Sequence, residues 1–164
     1  MKGFTLIELI VAVSIIALLS VFMITNYKEG STNFDERMSI QNIAQVIRLA
    51  QNKALASDCA VAPCRFGVHF DTSSTTIKIF DDANLNNQYD AGEEIETAEL
   101  EEGISITSLS PSYSCNVSDE CLDILFNPPD PTTIFNPTGL DFVTITLTGG
   151  SSVVVGRGGS VDIN

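Results

Sequence analysis

The run Phe4-Thr5-Leu6-Ile7-Glu8-Leu9-Ile10-Val11-Ala12-Val13-Ser14-Ile15-Ile16-Ala17-Leu18-Leu19-Ser20-Val21-Phe22-Met23-Ile24 holds a single ionisable side chain, Glu8. As an α-helix it would extend roughly 31 Å, the hydrocarbon thickness of a bilayer. Only Met1, Lys2 and Gly3 precede it. Neither Leu18-Leu19-Ser20 nor Ile24-Thr25-Asn26 has the small-residue pattern at which a secretory signal is removed. The run is therefore expected to stay and to span. Lys2 on the short side favours a cytoplasmic N-terminus, with the remainder of the chain delivered outside.

Outward from this run the helical signal continues, with Ile40, Ile43, Ile47, Ala50 and Ala54 recurring at steps of three and four. Arg37, Gln41, Gln45, Arg48, Gln51 and Lys53 take the other positions, so this half is amphipathic and should lie against a folded body. Gly30-Ser31-Thr32-Asn33 is placed to bend or loosen the helix between its halves. Asp58 and the loop from Cys59 to Cys64 end it.

From Arg65 the period changes to two. Phe66, Val68 and Phe70 alternate with Gly67, His69 and Asp71, and Ile77 and Phe80 follow a Ser/Thr turn, which reads as a strand pair. His69 falls on the polar phase and is expected to be exposed, without a special role. Glu94 to Leu100, Ile104 to Leu109 and Leu122 to Phe126 are further strands. The clearest hairpin comes last: Val143, Ile145 and Leu147 alternate with threonines, and Gly149-Gly150 separates them from Val153-Val154-Val155. Pro128, Pro129, Pro131 and Pro137 mark the preceding stretch as loop. The fold class is α+β, one long helix packed on an antiparallel sheet.

The chain has 164 residues, 44% of them hydrophobic, which suits one compact domain plus an appendage. The net charge is −13, and from Asp58 onward the only bases are Arg65, Lys78 and Arg157. Such a body repels polyanions, and its acidity is that of a solvated surface on an exported protein. The four cysteines, Cys59, Cys64, Cys115 and Cys121, point to disulfides in an oxidising envelope. Three connectivities are open, of which the local one, Cys59 with Cys64 and Cys115 with Cys121, is expected. Zinc is disfavoured, because the cysteine spacing is not that of a finger and His69 is the only histidine.

Gly3-Phe4-Thr5-Leu6-Ile7-Glu8 at the head of an apolar helix resembles the processing signal of type IV pilins and type II secretion pseudopilins. The resemblance implies cleavage by a prepilin peptidase after Gly3 and methylation of the new amine on Phe4. It divides the chain into a leader, 1–3, a membrane and polymerisation half-helix, 4–31, and an exported body, 32–164, with an amphipathic helix over 32–57 and a sheet over 65–164. Physically, Glu8 is costly in an apolar helix, and the amine of one subunit could neutralise the Glu8 of another, fixing register in a filament. The alternative is a glutamate that reaches out to the head groups. Ile47-Arg48-Leu49-Ala50-Gln51-Asn52-Lys53-Ala54, Phe80-Asp81-Asp82-Ala83-Asn84 and Phe135-Asn136-Pro137-Thr138-Gly139 are similar to the GspH/FimT group of minor pilins and pseudopilins. The segment from Val155 to Val161 resembles that group's closing strand but lacks the paired arginines of its DNA-binding members, so DNA is not an expected partner.

Asp82, Asn84, Asn86, Asp90 and Glu93 stand at places 1, 3, 5, 9 and 12 of a twelve-residue window, the oxygen spacing of a calcium loop. Asn87 replaces the usual glycine at place 6, and strands rather than helices flank the window. Two readings stay open here, a Ca²⁺-stabilised hairpin loop and an Asn/Asp-rich turn that caps its own backbone.

No nucleophile–base pair, cleft of paired carboxylates or phosphate loop has meaningful spacing, so catalysis is not expected. The resemblance implies a structural subunit of a type IV pilus or type II secretion pseudopilus, inserted in the inner membrane with a periplasmic or extracellular body and serving as initiator or tip component. Its partners are then the prepilin peptidase and other pilins or pseudopilins. The alternatives are a tip-located binding module for a surface, a secreted substrate or DNA, and a bitopic surface protein that never polymerises.

Overall fold

The computed structural model describes residues 3, 5–56, 65–72, 74–115, 119–127 and 133–164, with side chains outside 23–32. Phe4, Cys59 and Cys64 lie outside the described residues, as does the loop read as ending the helix. Two compact units are present, Met1–Phe34 and Asp35–Asn164.

Helix α1 runs Leu6–Ala56 and includes Gly30 to Asn33, where the sequence suggested a break. In the second unit its apolar stripe is the one the periodicity marks: Ile40, Ile43, Ile47, Ala50 and Ala54 are buried, joined by Ala44 and Val46. Arg37, Gln41, Gln45 and Arg48 stay exposed. Burying each of the isoleucines contributes about 1.5–3 kcal/mol, so this stripe is a large part of what ties the helix to the strands.

Among the described residues ten strands follow, all paired antiparallel, in two sheets where a single sheet was expected. The larger joins β1 (Phe66–Asp71), β2 (Thr76–Asp81), β3 (Glu94–Glu99), β5 (Tyr113–Ser114) and β6 (Glu120–Phe126) in the order β3-β2-β1-β6-β5, with β7 (Thr133–Asn136) also on β6. The smaller has the order β10-β9-β8-β4, from β4 (Ile106–Ser110), β8 (Phe142–Leu147), β9 (Ser152–Gly156) and β10 (Val161–Ile163). The expected β8–β9 hairpin is present, with Val143 opposite Val155 and Ile145 opposite Val153, a pairing centred on Gly149. One core contains Ile43 and Ile47 of the helix, Val68, Phe70 and Ile124 of the larger sheet, and Val143, Ile145 and Val155 of the smaller.

Two expectations are corrected. The stretch read as proline loop contains β7, because Thr133 to Asn136 is free of proline and pairs with β6 along a stretch of that strand not used by β5. His69 is buried at 5% exposure, because β1 is an inner strand and both of its faces are covered. Phe66, Val68 and Phe70 face the core, while Gly67 and His69 lie under side chains on the opposite face. At Gly67 an added Cβ would collide with the ring of Phe80, which needs that missing side chain to lie flat across β1.

Candidate assembly helix and acidic loop

In the first unit, Thr5 precedes the helix and its Oγ1 accepts the Glu8 backbone N–H at 3.4 Å, while its carbonyl accepts that of Leu9 at 3.2 Å. Thr5 therefore caps the helix, with an acidic residue in the first turn where the helix dipole favours one. Gly3 lies before the cap, and Glu8 is exposed. From Leu6 to Phe22 the large apolar side chains are between 53% and 76% exposed. Ser14 and Ser20 donate to the carbonyls of Ile10 and Ile16, both at 2.8 Å, so neither hydroxyl interrupts the apolar surface with an unmet donor. Among the described residues no helix is long and apolar enough to cross a membrane. At 1.5 Å per residue the described apolar stretch, Leu6 to Phe22, falls a turn short of a ~30 Å hydrocarbon core.

In the second unit, the loop between β2 and β3 brings together the oxygen-bearing residues singled out by spacing. Asp82 is fully buried and accepts the backbone N–H groups of Asn86 at 3.0 Å and Asn87 at 3.1 Å. Asn84 Oδ1 accepts the N–H of Asn86, and Asn86 Oδ1 that of Gln88. The amides of Asn84 and Asn86 donate to Asp90 Oδ2 at 2.7 and 2.8 Å, and Glu93 Oε2 accepts the N–H of Asp90 at 3.1 Å. Asn87 takes φ 63°, the left-handed conformation that its place in the window demands. The donors are hard oxygens suited to Ca²⁺. Burial, with Asp82 and Asp90 nearby, holds the Glu93 carboxyl above its ordinary range despite backbone hydrogen bonds that pull the other way. Asp82 carries a competing cation, with Arg65 Nη1 3.9 Å from its Oδ2.

Tyr89 closes this loop onto the sheet. Its ring lies 4.5 Å from that of His69 and 5.6 Å edge-on from Phe80, with Lys78 Nζ 4.7 Å above it. Beneath it Asp123, fully buried on β6, gathers four donors: His69 Nδ1 at 2.7 Å, the Tyr113 hydroxyl at 2.6 Å, and Tyr89 N–H and Asn136 Nδ2 at 3.4 Å. Burial, and then the bond to Asp123, pushes the Tyr113 hydroxyl far up, so it stays a donor. Sequence reasoning missed this hub. The available signal was an aspartate inside the apolar run Leu122-Asp123-Ile124-Leu125-Phe126.

Cys115 and Cys121 are disulfide-bonded, the local pairing expected for these two. Cys121 Sγ lies 3.8 Å from His69 Nε2. Ligand atoms of His69, Asp71 and Cys121 lie within 4.8 Å of one another, but a disulfide sulfur is not a thiolate ligand and this cluster is no metal site.

Residues 39–164 match the family of the type II transport protein GspH, and residues 1–24 match the prokaryotic N-terminal methylation motif. This chain belongs to the GspH family. The GspH match spans both sheets and the buried stripe of α1, while the methylation motif spans Gly3, Phe4 and Glu8. Among solved structures, this GspH-family chain is similar to the minor pseudopilin EpsH from the Type 2 Secretion System of Vibrio cholerae, at 13% identity and TM-score 0.39 over 78% of this chain and 94% of that one. No curated protein matches it.

Proposed function

We propose that this GspH-family chain is a minor pseudopilin, a structural subunit of a type II secretion pseudopilus. A prepilin peptidase removes residues 1–3 and methylates the amine of Phe4. The run Phe4 to Ile24 then anchors the subunit in the inner membrane, with its body on the periplasmic side, and the same half-helix later joins a filament as initiator or tip component. The carrying observation is the exposed apolar surface from Leu6 to Phe22 with Glu8 at its head. That surface is too extensive to face water and needs lipid or neighbouring helices. A lone carboxylate costs ~2.5–3.5 kcal/mol at mid-bilayer on insertion scales, less near a helix end, and a methylated amine of a neighbour relieves it.

The experiment compares wild type with Glu8→Ala and Glu8→Gln in cells making the rest of the filament. Export and processing are expected to persist while both variants disappear from the sheared filament fraction. Undiminished incorporation would defeat the reading, as would mass spectrometry finding the native chain with Gly3 still attached.

Within the same reading, Ca²⁺ occupies the loop from Asp82 to Glu93, held by carboxylates and Asn84 and Asn86 amide oxygens. What supports it is the hard-oxygen donor set, with the Asn84 and Asn86 amides both bonded to Asp90 and Glu93 bonded to the Asp90 N–H. The ion would brace the loop that carries Tyr89 and supplies no chemistry of reaction.

A further inference from the structure

Strand register gathers five polar side chains on the face of the larger sheet that lies away from the core. Across β1 and β6, Asp71 stands opposite Cys121 and His69 opposite Asp123, and on the other side of β6 Tyr113 of β5 stands opposite Cys121. All five therefore share one face. Asp123 accepts from the Tyr113 hydroxyl at 2.6 Å and from His69 Nδ1 at 2.7 Å. An ionised carboxylate only accepts, so Nδ1 carries its proton and the other ring nitrogen, Nε2, faces Cys121 Sγ at 3.8 Å.

The two ends of the Cys115–Cys121 bridge differ. Cys121 is 1% exposed and lies against the imidazole, whereas Cys115 is partly exposed. When the S–S bond breaks with its electron pair on Cys121, a thiolate forms beside a ring that Asp123 already holds, and the three become a Cys–His–Asp chain. Moving a proton from Sγ to Nε2 carries positive charge toward Asp123 and leaves the negative charge further from it, so Asp123 favours the thiolate–imidazolium form. Asp71 has a carboxylate oxygen within 4.8 Å of both the imidazole and the sulfur, and so weighs on the two proton sites alike. Tyr113 stays a neutral donor, and Lys78 lies over the ring of Tyr89, itself 4.5 Å from His69. Asn116, Val117 and Ser118, between the two cysteines, have no ionisable side chain.

We propose that the Cys115–Cys121 bridge is a thiol–disulfide exchange site for a dithiol, in which Cys115 is the sulfur attacked and Cys121 leaves as a thiolate held by His69 and Asp123. One thiolate of the dithiol bonds to Cys115 Sγ, and the S–S electron pair passes to Cys121 Sγ. The second thiolate of the dithiol then attacks its own sulfur in that mixed disulfide and releases Cys115. Two electrons and two protons pass to the cysteine pair, and the dithiol departs as a disulfide. Stabilising the leaving thiolate makes the bridge easier to open than burial alone would allow. The proposal stands independently of the Glu8 and Ca²⁺ readings.

The test equilibrates the full chain, in detergent micelles at pH 7, with graded ratios of reduced to oxidised dithiothreitol, and reads each cysteine by acid quench, alkylation and peptide mass spectrometry. His69→Gln is expected to raise the ratio needed for half-opening of Cys115–Cys121 about ten-fold. Mixed disulfides trapped with glutathione are expected on Cys115. A readout that lost packing would not move comes from Cys59→Ser, Cys64→Ser and Cys115→Ser combined, which leaves Cys121 as the one cysteine. Its thiolate fraction, read from the ¹³Cβ shift of labelled cysteine, should exceed that of the same chain with His69→Gln about ten-fold. Should His69→Gln fail to fold, Asp123→Asn keeps the shape of the hub, removes its charge and should lower the thiolate fraction about three-fold. An unchanged half-opening ratio, a thiolate fraction indifferent to these variants, or glutathione trapped on Cys121 would each overturn the proposal.

Discussion

Glu36 on α1 accepts the backbone N–H of Ser151 through Oε1 at 2.9 Å, so a buried carboxylate of the helix holds the β8–β9 turn. The turn has its glycine for the same reason. Gly149 sits at φ 105°, and an added Cβ would run into the Glu36 carboxyl group. Glu36→Ala is expected to destabilise the body by about 1.5–3 kcal/mol, the range for a hydrogen bond to a charged group. Gly149→Ala should cost at least as much, since it adds backbone strain to displacement of the carboxylate. Denaturant melts of the full chain in detergent, followed by near-ultraviolet circular dichroism, check both.

Asp123 leaves more groups stranded when removed. His69, Tyr113 and the Tyr89 N–H all point at it, so Asp123→Ala should destabilise by about 3–5 kcal/mol, the range for breaking a buried charged network. Tyr89 fluorescence should also become quenchable by acrylamide as the loop lifts from β1. A variant with wild-type stability and quenching would show that the hub is not holding the loop.

Opening the Cys115–Cys121 bridge by Cys115→Ser with Cys121→Ser releases a loop of sequence separation 6. For so short a closure the chain-entropy estimate is about 2 kcal/mol. The expected result is a folded but less stable body, detected as a lowered midpoint in the same melts.

Ca²⁺ is expected to raise the thermal midpoint of the full chain in detergent, and Glu93→Gln to reduce that rise. Burial and the neighbouring acids raise the Glu93 pKa, so without metal its protonation favours the folded state, and this stability is lost as pH rises through the folded value. Ca²⁺ must displace that proton, so the metal-induced rise should shrink as pH falls from 7 toward 4.5, the ordinary value for this carboxyl. Superimposable melts with and without Ca²⁺ at pH 7 would leave the loop as a turn closed by its own Asx bonds.

Ile47→Ala deletes side-chain volume at a fully buried position on the α1 stripe and should cost about 2–5 kcal/mol. Leu49→Ala, two residues further on and on the exposed side of the helix, should cost far less. Paired melts of the two variants measure the contrast.

The amino-acid order alone determined what depends on near neighbours. The three-and-four spacing of Ile40, Ile43 and Ile47 specified which side of α1 is buried, the Gly149-Gly150 pair specified the last hairpin, and the Asp82 to Glu93 spacing specified which residues share a loop. These are legible because helix period, turn chemistry and ligand spacing are set within a few residues. Tertiary structure alone decided what covers each face. His69 has the alternation of an exposed residue but lies inside, because Tyr89 closes over it from one distant segment and Asp123 meets it from another. Likewise the strands divide into two sheets, β7 takes part of the edge of β6, and Arg157 comes to stand beside Thr133. Such pairings depend on long-range approach of segments, and a local pattern carries no record of which distant segment will arrive.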